Sequence, residues 1–125
     1  MKNDIILSSL SHTWIVDIDG TVCKHNGYII DGFDTILPGV KSFFEQIPEQ
    51  DLVIFVTSRD AKYKRITETF LKENGIRFDF VIYNAPYGER LIINDNKPSG
   101  LVMAKAICID RNSGLPNRII IDSSK

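Results

Sequence analysis

Two runs of apolar β-formers, "TWIVDID" (13–19) and "DLVIFVTS" (51–58), are separated by a stretch of helical periodicity, and this arrangement constrains the fold more than any other feature. Neither run alternates polar with apolar residues, so each predicts a strand covered on both faces, as in a parallel sheet. Between them "PGVKSFFEQIP" places Val40, Phe43, Phe44 and Ile47 on one helical stripe, which Pro48 stops. The rhythm continues in "RDAKYKRITETFLKENG", where Tyr63, Ile66, Phe70 and Leu71 share a face and Asn74-Gly75 marks the end. "FDFVIYN" (78–84), "RLIINDN" (90–96) and "AKAICID" (104–110) predict three further strands, and "NRIIID" (117–122) a sixth strand or an edge addition. Such alternation predicts an α/β domain on a mainly parallel sheet.

The 125 residues fit a single domain, 1–125, large enough to bury a core without disulfides. No repeat or low-complexity linker divides them. Lys and Arg number 15 against 16 Asp and Glu, so no charge excess holds the chain on nucleic acid or an anionic membrane. Cys23 and Cys108 match no zinc or redox spacing and read as reduced thiols. No apolar run reaches the ~18 residues of a membrane span, and the first residues lack signal-peptide character, so a cytoplasmic protein is expected. His12 and His25 read as exposed and uninvolved, and Cys23 as a packing residue. The connection 84–90 is shorter than the dozen or so residues of an ordinary parallel crossover, which predicts a taut, helix-free link.

The first strand ends in two acids, Asp17 and Asp19, whose side chains share a side of an extended backbone. Ionised together they need a cation. Ligands of parallel α/β sheets sit beyond the carboxyl ends of the strands, where Thr57, Ser58 and Asp95 also fall. Magnesium suits such a place, because it takes oxygen ligands from one or two carboxylates and a substrate phosphate. Gly20 permits an immediate turn, which offers the amides of residues 18–21, Thr21 included, to an anion alongside the Thr57 and Ser58 hydroxyls. One carboxylate of such a pair can attack phosphorus while the other moves protons. A fixed cation is then needed for the phosphoryl oxygens, with Lys97, Arg90, Arg59 and Lys62 as candidates.

"DIDGT" (17–21), "VTSR" (56–59) and "IIND" (92–95) resemble motifs of the haloacid dehalogenase superfamily of phosphohydrolases, over roughly residues 13–97. The tail "KPSGLVMAKAICIDRNSGL" resembles small members of bacterial sugar and surface-polysaccharide metabolism. The resemblance implies a Rossmann-like three-layer sandwich with strand order 3-2-1-4-5. It also implies Asp17 as nucleophile, Asp19 as general acid/base and Thr57 as the phosphate-binding hydroxyl; with the donors above, the expected phosphate site is Gly20, Thr21, Thr57, Ser58 and Arg59. The implied cofactor is Mg²⁺, held by Asp17, Asp19 through its backbone carbonyl, and Asp95. Where members of this size carry Gly-Lys-Pro, this chain reads Asn84-Ala85-Pro86. Lys97 is the first substitute for that lysine and Arg90 the second.

The loop 22–37, where the superfamily inserts a cap, has room for a β-hairpin flap around Asn26-Gly27 and no more. An open site of this kind fits a large substrate or closure by a neighbouring subunit, so a homo-oligomer is in view. The expected function is a Mg²⁺-dependent phosphatase acting on a small phosphorylated substrate such as a sugar phosphate, through an aspartyl-phosphate. The alternative is a weakly active binding or regulatory module of sugar-nucleotide or surface-polysaccharide biosynthesis.

Overall fold

A computed structural model describes residues 4–125. Its first strand is β1 (Ile5–Leu7), followed by β2 (Thr13–Val16), a one-turn helix α1 (Gly27–Ile30), and α2 (Val40–Glu45). Next come β3 (Leu52–Val56), a 3₁₀ turn (Ala61–Tyr63) leading into α3 (Lys64–Glu73), β4 (Phe80–Ile82) and β5 (Ile119–Ile121). β2, β3 and β4 form a parallel sheet in the order β2-β3-β4, and β1 pairs in parallel with β5 in a second, two-stranded sheet. The expected α/β class with parallel sheets is therefore present, and "NRIIID" supplies β5 as an edge addition.

One face of the three-stranded sheet carries the core. Trp14, Val16, Val53, Phe55 and Val81 point the same way and meet Val40, Phe43 and Phe44 of α2 and Leu71 of α3. Phe44 stacks on Phe55 at 5.7 Å between centroids, and Trp14 meets the edge of Phe43 at 5.8 Å. Aromatic pairs of this geometry add about 0.5–1.5 kcal/mol each beyond area burial. In α3 the buried side differs from the expected stripe. Ile66 is exposed, while Thr67 is buried beside Leu71. The helix is rotated toward Thr67 because its hydroxyl oxygen accepts a hydrogen bond from the Arg59 guanidinium at 2.9 Å.

Three expectations are corrected. Residues 90–96 and 104–110 are not strands, so the strand order ends at β2 instead of continuing through two further strands. A ladder needs a neighbour, and the chain reaches residue 90 at the carboxyl end of the sheet, where a strand parallel to β2 cannot begin. Nor is the domain a three-layer sandwich. The opposite face, carrying Ile15, Phe80 and Ile82, is exposed, because the helix-free segment after β4 brings nothing to cover it. Finally, loop 22–37 is not a simple hairpin about Asn26-Gly27. Its legs do pair, Lys24 N–H to Thr35 C=O at 2.8 Å and Leu37 N–H to Val22 C=O at 3.0 Å, but the tip is the helical turn α1. Asn26 takes a left-handed φ of 56° at its start, and the Lys24 ammonium reaches Asp31 at 2.8 Å across it.

His12 is also mostly buried rather than exposed, with 15% of its side chain accessible. Its ring lies 2.8 Å from Asp51 through Nδ1 and 2.9 Å from the Ser8 carbonyl through Nε2. Asp51 further accepts from the His12 amide and the Trp14 indole, each at 2.9 Å, and ties β2 to the turn before β3. Burial alone would raise the Asp51 carboxyl, but the hydrogen bonds from Trp14 and His12 outweigh it and hold it below the ordinary carboxylate range. A carboxyl lowered by folding stabilises above its unfolded pKa of about 3.9 and loses that contribution as pH falls through the folded value. Asp51→Ala should therefore cost about 1–3 kcal/mol at pH 7. The difference from the parent should shrink in urea melts repeated below about pH 4.

Candidate active site

The carboxyl ends of β2 and β3 bring the two acids and the Thr-Ser pair together. After Val16 the backbone closes a tight loop in which the Thr21 and Val22 amides both donate to the Ile18 carbonyl, at 3.1 and 2.9 Å. Gly20 makes the turn with φ +83°, which an L side chain rarely adopts, and a Cβ there would lie 3.1 Å from Cγ of Arg111. The Gly20 amide donates to the Cys23 carbonyl at 2.8 Å. The amides of Gly20 and Thr21 thus serve the loop itself. Thr21 instead turns its hydroxyl to Asp17, donating to Oδ2 at 3.1 Å.

Asp17 stands at the rim with 39% of its side chain accessible. Its other oxygen, Oδ1, accepts from Arg90 Nη1 at 2.9 Å. Arg90 also reaches the Val56 carbonyl at 3.3 Å and Ser58 Oγ at 3.5 Å, so its guanidinium bridges the ends of both strands. Of the two substitutes for the missing lysine, the structure brings Arg90 to Asp17. Lys97 makes no side-chain hydrogen bond or ion pair among the described residues, and Asp95 contacts only its neighbour Asn94.

Asp19 faces the other way. Arg59 Nε and Nη2 grip its two oxygens, each at 2.9 Å, and the same guanidinium binds Asp34 Oδ1 at 2.6 Å and Oδ2 at 3.1 Å. Arg59 and Asp34 side chains are 1% and 3% accessible. The Tyr28 ring lies over the guanidinium at 3.9 Å and is itself wedged against Tyr63. Bidentate carboxylate pairing and ring stacking are arrangements a lysine cannot reproduce. Arg59 therefore does not point at an anion-binding rim; it is spent on Asp19, Asp34 and Thr67.

Among the described residues the one cluster with three ligand atoms in mutual reach is Asp19, Cys23 and Asp34. Arg59 already supplies its positive charge. Burial, then the charges of Asp34 and Asp19, push the Cys23 thiol far above its ordinary range, so it stays neutral. A hard oxygen-seeking cation has no place there. Donors that would suit Mg²⁺ are oxygens, of which the Asp17 carboxylate is accessible at the rim, while among the described residues the Asp95 hydrogen bonds come from Asn94 alone.

Thr57 is buried, its hydroxyl oxygen accepting from the Arg59 amide at 3.1 Å, and Ser58 donates toward the Pro86 carbonyl at 3.4 Å. Asp34, Tyr28 and Arg111 were not foreseen from the sequence. Asp34 lies in "GFDTIL", where no spacing distinguishes it from a loop acid, and Arg111 reaches Gly20 through chain return across the rim. A broad surface groove lined by Ser42, Gln46, Leu115 and Arg118 includes none of these site residues. No helix among the described residues is long and apolar enough to cross a membrane.

No protein-family model matches the chain, and comparison with curated proteins and with solved structures gave no significant match.

Proposed function

We propose that the protein is a Mg²⁺-dependent phosphatase that hydrolyses a small phosphomonoester of the sugar-phosphate class through a phosphoryl group carried on Asp17. The observation that supports this most is the Arg90–Asp17 contact at 2.9 Å, which sets a fixed cation beside an accessible carboxylate at the carboxyl end of a parallel sheet. Attack by an Asp17 oxygen forms the acyl phosphate and breaks the ester bond. Arg90 then faces the oxygens on which charge accumulates, and the Ser58 hydroxyl, beside Arg90, donates to them once it leaves the Pro86 carbonyl. Thr21 holds the second Asp17 oxygen and so orients the first. Asp19 protonates the departing alkoxide and afterwards takes a proton from the water that attacks phosphorus, which breaks the Asp17–phosphorus bond and frees the carboxylate and inorganic phosphate. Bound Mg²⁺, held by Asp17, the Asp19 carbonyl and Asp95, would neutralise phosphate charge and orient the ester.

Asp19 can move a proton only when it lets go of Arg59, and this favours a second reading as a slow or regulatory phosphate-binding module. Phosphate release from a generic aryl phosphate, with Mg²⁺ and with chelator, tests the first reading. Mg²⁺-dependent release supports it, whereas phosphate-analogue binding without turnover across sugar phosphates, nucleotides and phosphoproteins supports the second. Arg90→Ala should lower kcat by about 10²–10³-fold, the usual cost of removing one donor from a developing oxyanion, with a smaller change in KM. An unchanged kcat would remove Arg90 from the chemistry.

A further inference from the structure

The segment that fails to form strands leaves from the rim and returns to it. The Asn84 amide donates to the Arg59 carbonyl at 2.8 Å, the Ala85 amide to the Thr57 carbonyl at 3.0 Å, and Arg90 reaches Asp17, so the outgoing chain is tied to the carboxyl end of the sheet. On the return, the Asn112 amide donates to the Gly20 carbonyl at 2.8 Å, and Asn112 Oδ1 accepts from the His25 amide at 2.8 Å. Between them, residues 91–108 form an arm that turns at Lys97–Leu101, where the Gly100 amide donates to the Lys97 carbonyl at 2.8 Å and the Lys97 amide to the Leu101 carbonyl at 3.0 Å. The arm is apolar and bare: Leu91 is 85% and Ile93 96% exposed, with Val102 and Ile107 also open to solvent.

The same chain presents a surface of matching kind. β2 is an edge strand with one side unpaired, and Ile15 at its middle is 48% exposed. Unpaired edges bind strands of other chains unless blocked, and neither proline nor charge blocks Thr13–Val16. The arm's first leg is rich in β-formers at Leu91, Ile92 and Ile93, yet it cannot pair with its own β2 in parallel. Starting from the carboxyl end, it would run antiparallel and carry Asp95 away from Asp17.

We infer that two copies of the chain exchange these arms, the "LIIND" leg of each pairing in parallel with β2 of the other and delivering the partner copy's Asp95 to the first copy's Asp17. Reciprocal exchange is closed and two-fold, so it ends at a dimer. Residues 91–108 together with the edge that receives them match the roughly 20–30 residues a side of a standard interface. The pairing completes the sheet beyond β2 and gives the exposed leucine and isoleucines a ladder and neighbours. With Asp95 beside Asp17, Ile93 falls beside Ile15. The role of Asp95 rests on the proposed phosphatase reading; the exchange itself does not.

Two measurements test it. Sedimentation of the unmodified chain should give a dimer, and a monomer throughout the accessible concentration range would overturn the exchange. In a Cys108→Ser background, Ile15→Cys and Ile93→Cys placed in one chain should yield a covalent dimer on mild oxidation, since adjacent strands bring Cα atoms within the 4.4–6.8 Å that a disulfide spans. Closure within single chains, or no bond between them, would overturn it. Where Mg²⁺-dependent turnover exists, Asp17→Asn and Asp95→Asn proteins, each inactive, should recover about a quarter of parental activity when refolded together, because half of randomly paired dimers carry one intact site of two. Absent recovery in a turning-over parent overturns delivery of Asp95 in trans. A parent without turnover removes the phosphatase reading and leaves the cross-link to decide the exchange.

Discussion

Replacing Arg59 with methionine should cost about 3–5 kcal/mol of folding free energy, the usual consequence of stripping one partner from a buried charge cluster. The guanidinium lies between Asp19 and Asp34, contacts four of their oxygens, donates to Thr67 and stacks under Tyr28. Methionine fills much of the volume but leaves two carboxylates facing each other without a cation. Both aspartates lower the free energy of the charged guanidinium more than burial raises it, so Arg59 stays protonated at every pH at which the chain folds. For a domain whose whole stability is about 5–15 kcal/mol, this loss leaves little folded protein. Arg59→Lys should recover only part of it, because an ammonium cannot engage two carboxylates in bidentate fashion. Urea melts of the three proteins check this. A loss below about 1 kcal/mol for Arg59→Met would show that the cluster is held by packing alone.

The flap depends on the same residue. Tyr28 and Asp34 both come from 22–37 and both rest on Arg59, so weakening the cluster frees the loop as well as Asp19. This couples stability to chemistry. Under the proposed function Asp19 must leave Arg59 to move a proton, and that release removes what anchors the flap.

What could be read in the sequence was what local pattern dictates. The runs 13–19 and 51–58 and the stripe Val40, Phe43, Phe44, Ile47 are decided by periodicity, and they became β2, β3 and the buried side of α2, with Ile47 buried just past its end. The run 90–96 also holds consecutive β-formers, Leu91, Ile92 and Ile93, but has a different fate. Whether a β-capable segment becomes a strand depends on where the chain enters the sheet, and that is set by the bonds of Asn84, Ala85 and Arg90, none of which has a periodic signature. In the same way Asp17 and Asp19 were legible as a pair, while their opposite orientations were not. Asp19 is turned by Arg59 and Asp34, residues distant in sequence, and Asp17 by Thr21 and Arg90.

Asp17→Asn should abolish turnover, by at least about 10³-fold in kcat, with little change in stability. The amide oxygen still accepts from Arg90, and the amide nitrogen donates to the Thr21 hydroxyl, which turns from donor to acceptor, so the rim keeps its geometry. It is, however, a poor nucleophile toward phosphorus, and no acyl phosphate can form. Unlike Arg59→Met, this variant should melt with the parent, and that contrast separates the residue that holds the fold from the one proposed to carry the reaction.

The most direct measurement is the covalent state of Asp17 during turnover. Protein mixed with an aryl phosphate and Mg²⁺, quenched in acid and digested, should carry a phosphoryl group on the peptide that contains Asp17. The adduct should vanish with chelator and in Asp17→Asn. Mg²⁺-dependent phosphate release that proceeds undiminished in Asp17→Asn, with no adduct on that peptide, would contradict phosphoryl transfer through Asp17.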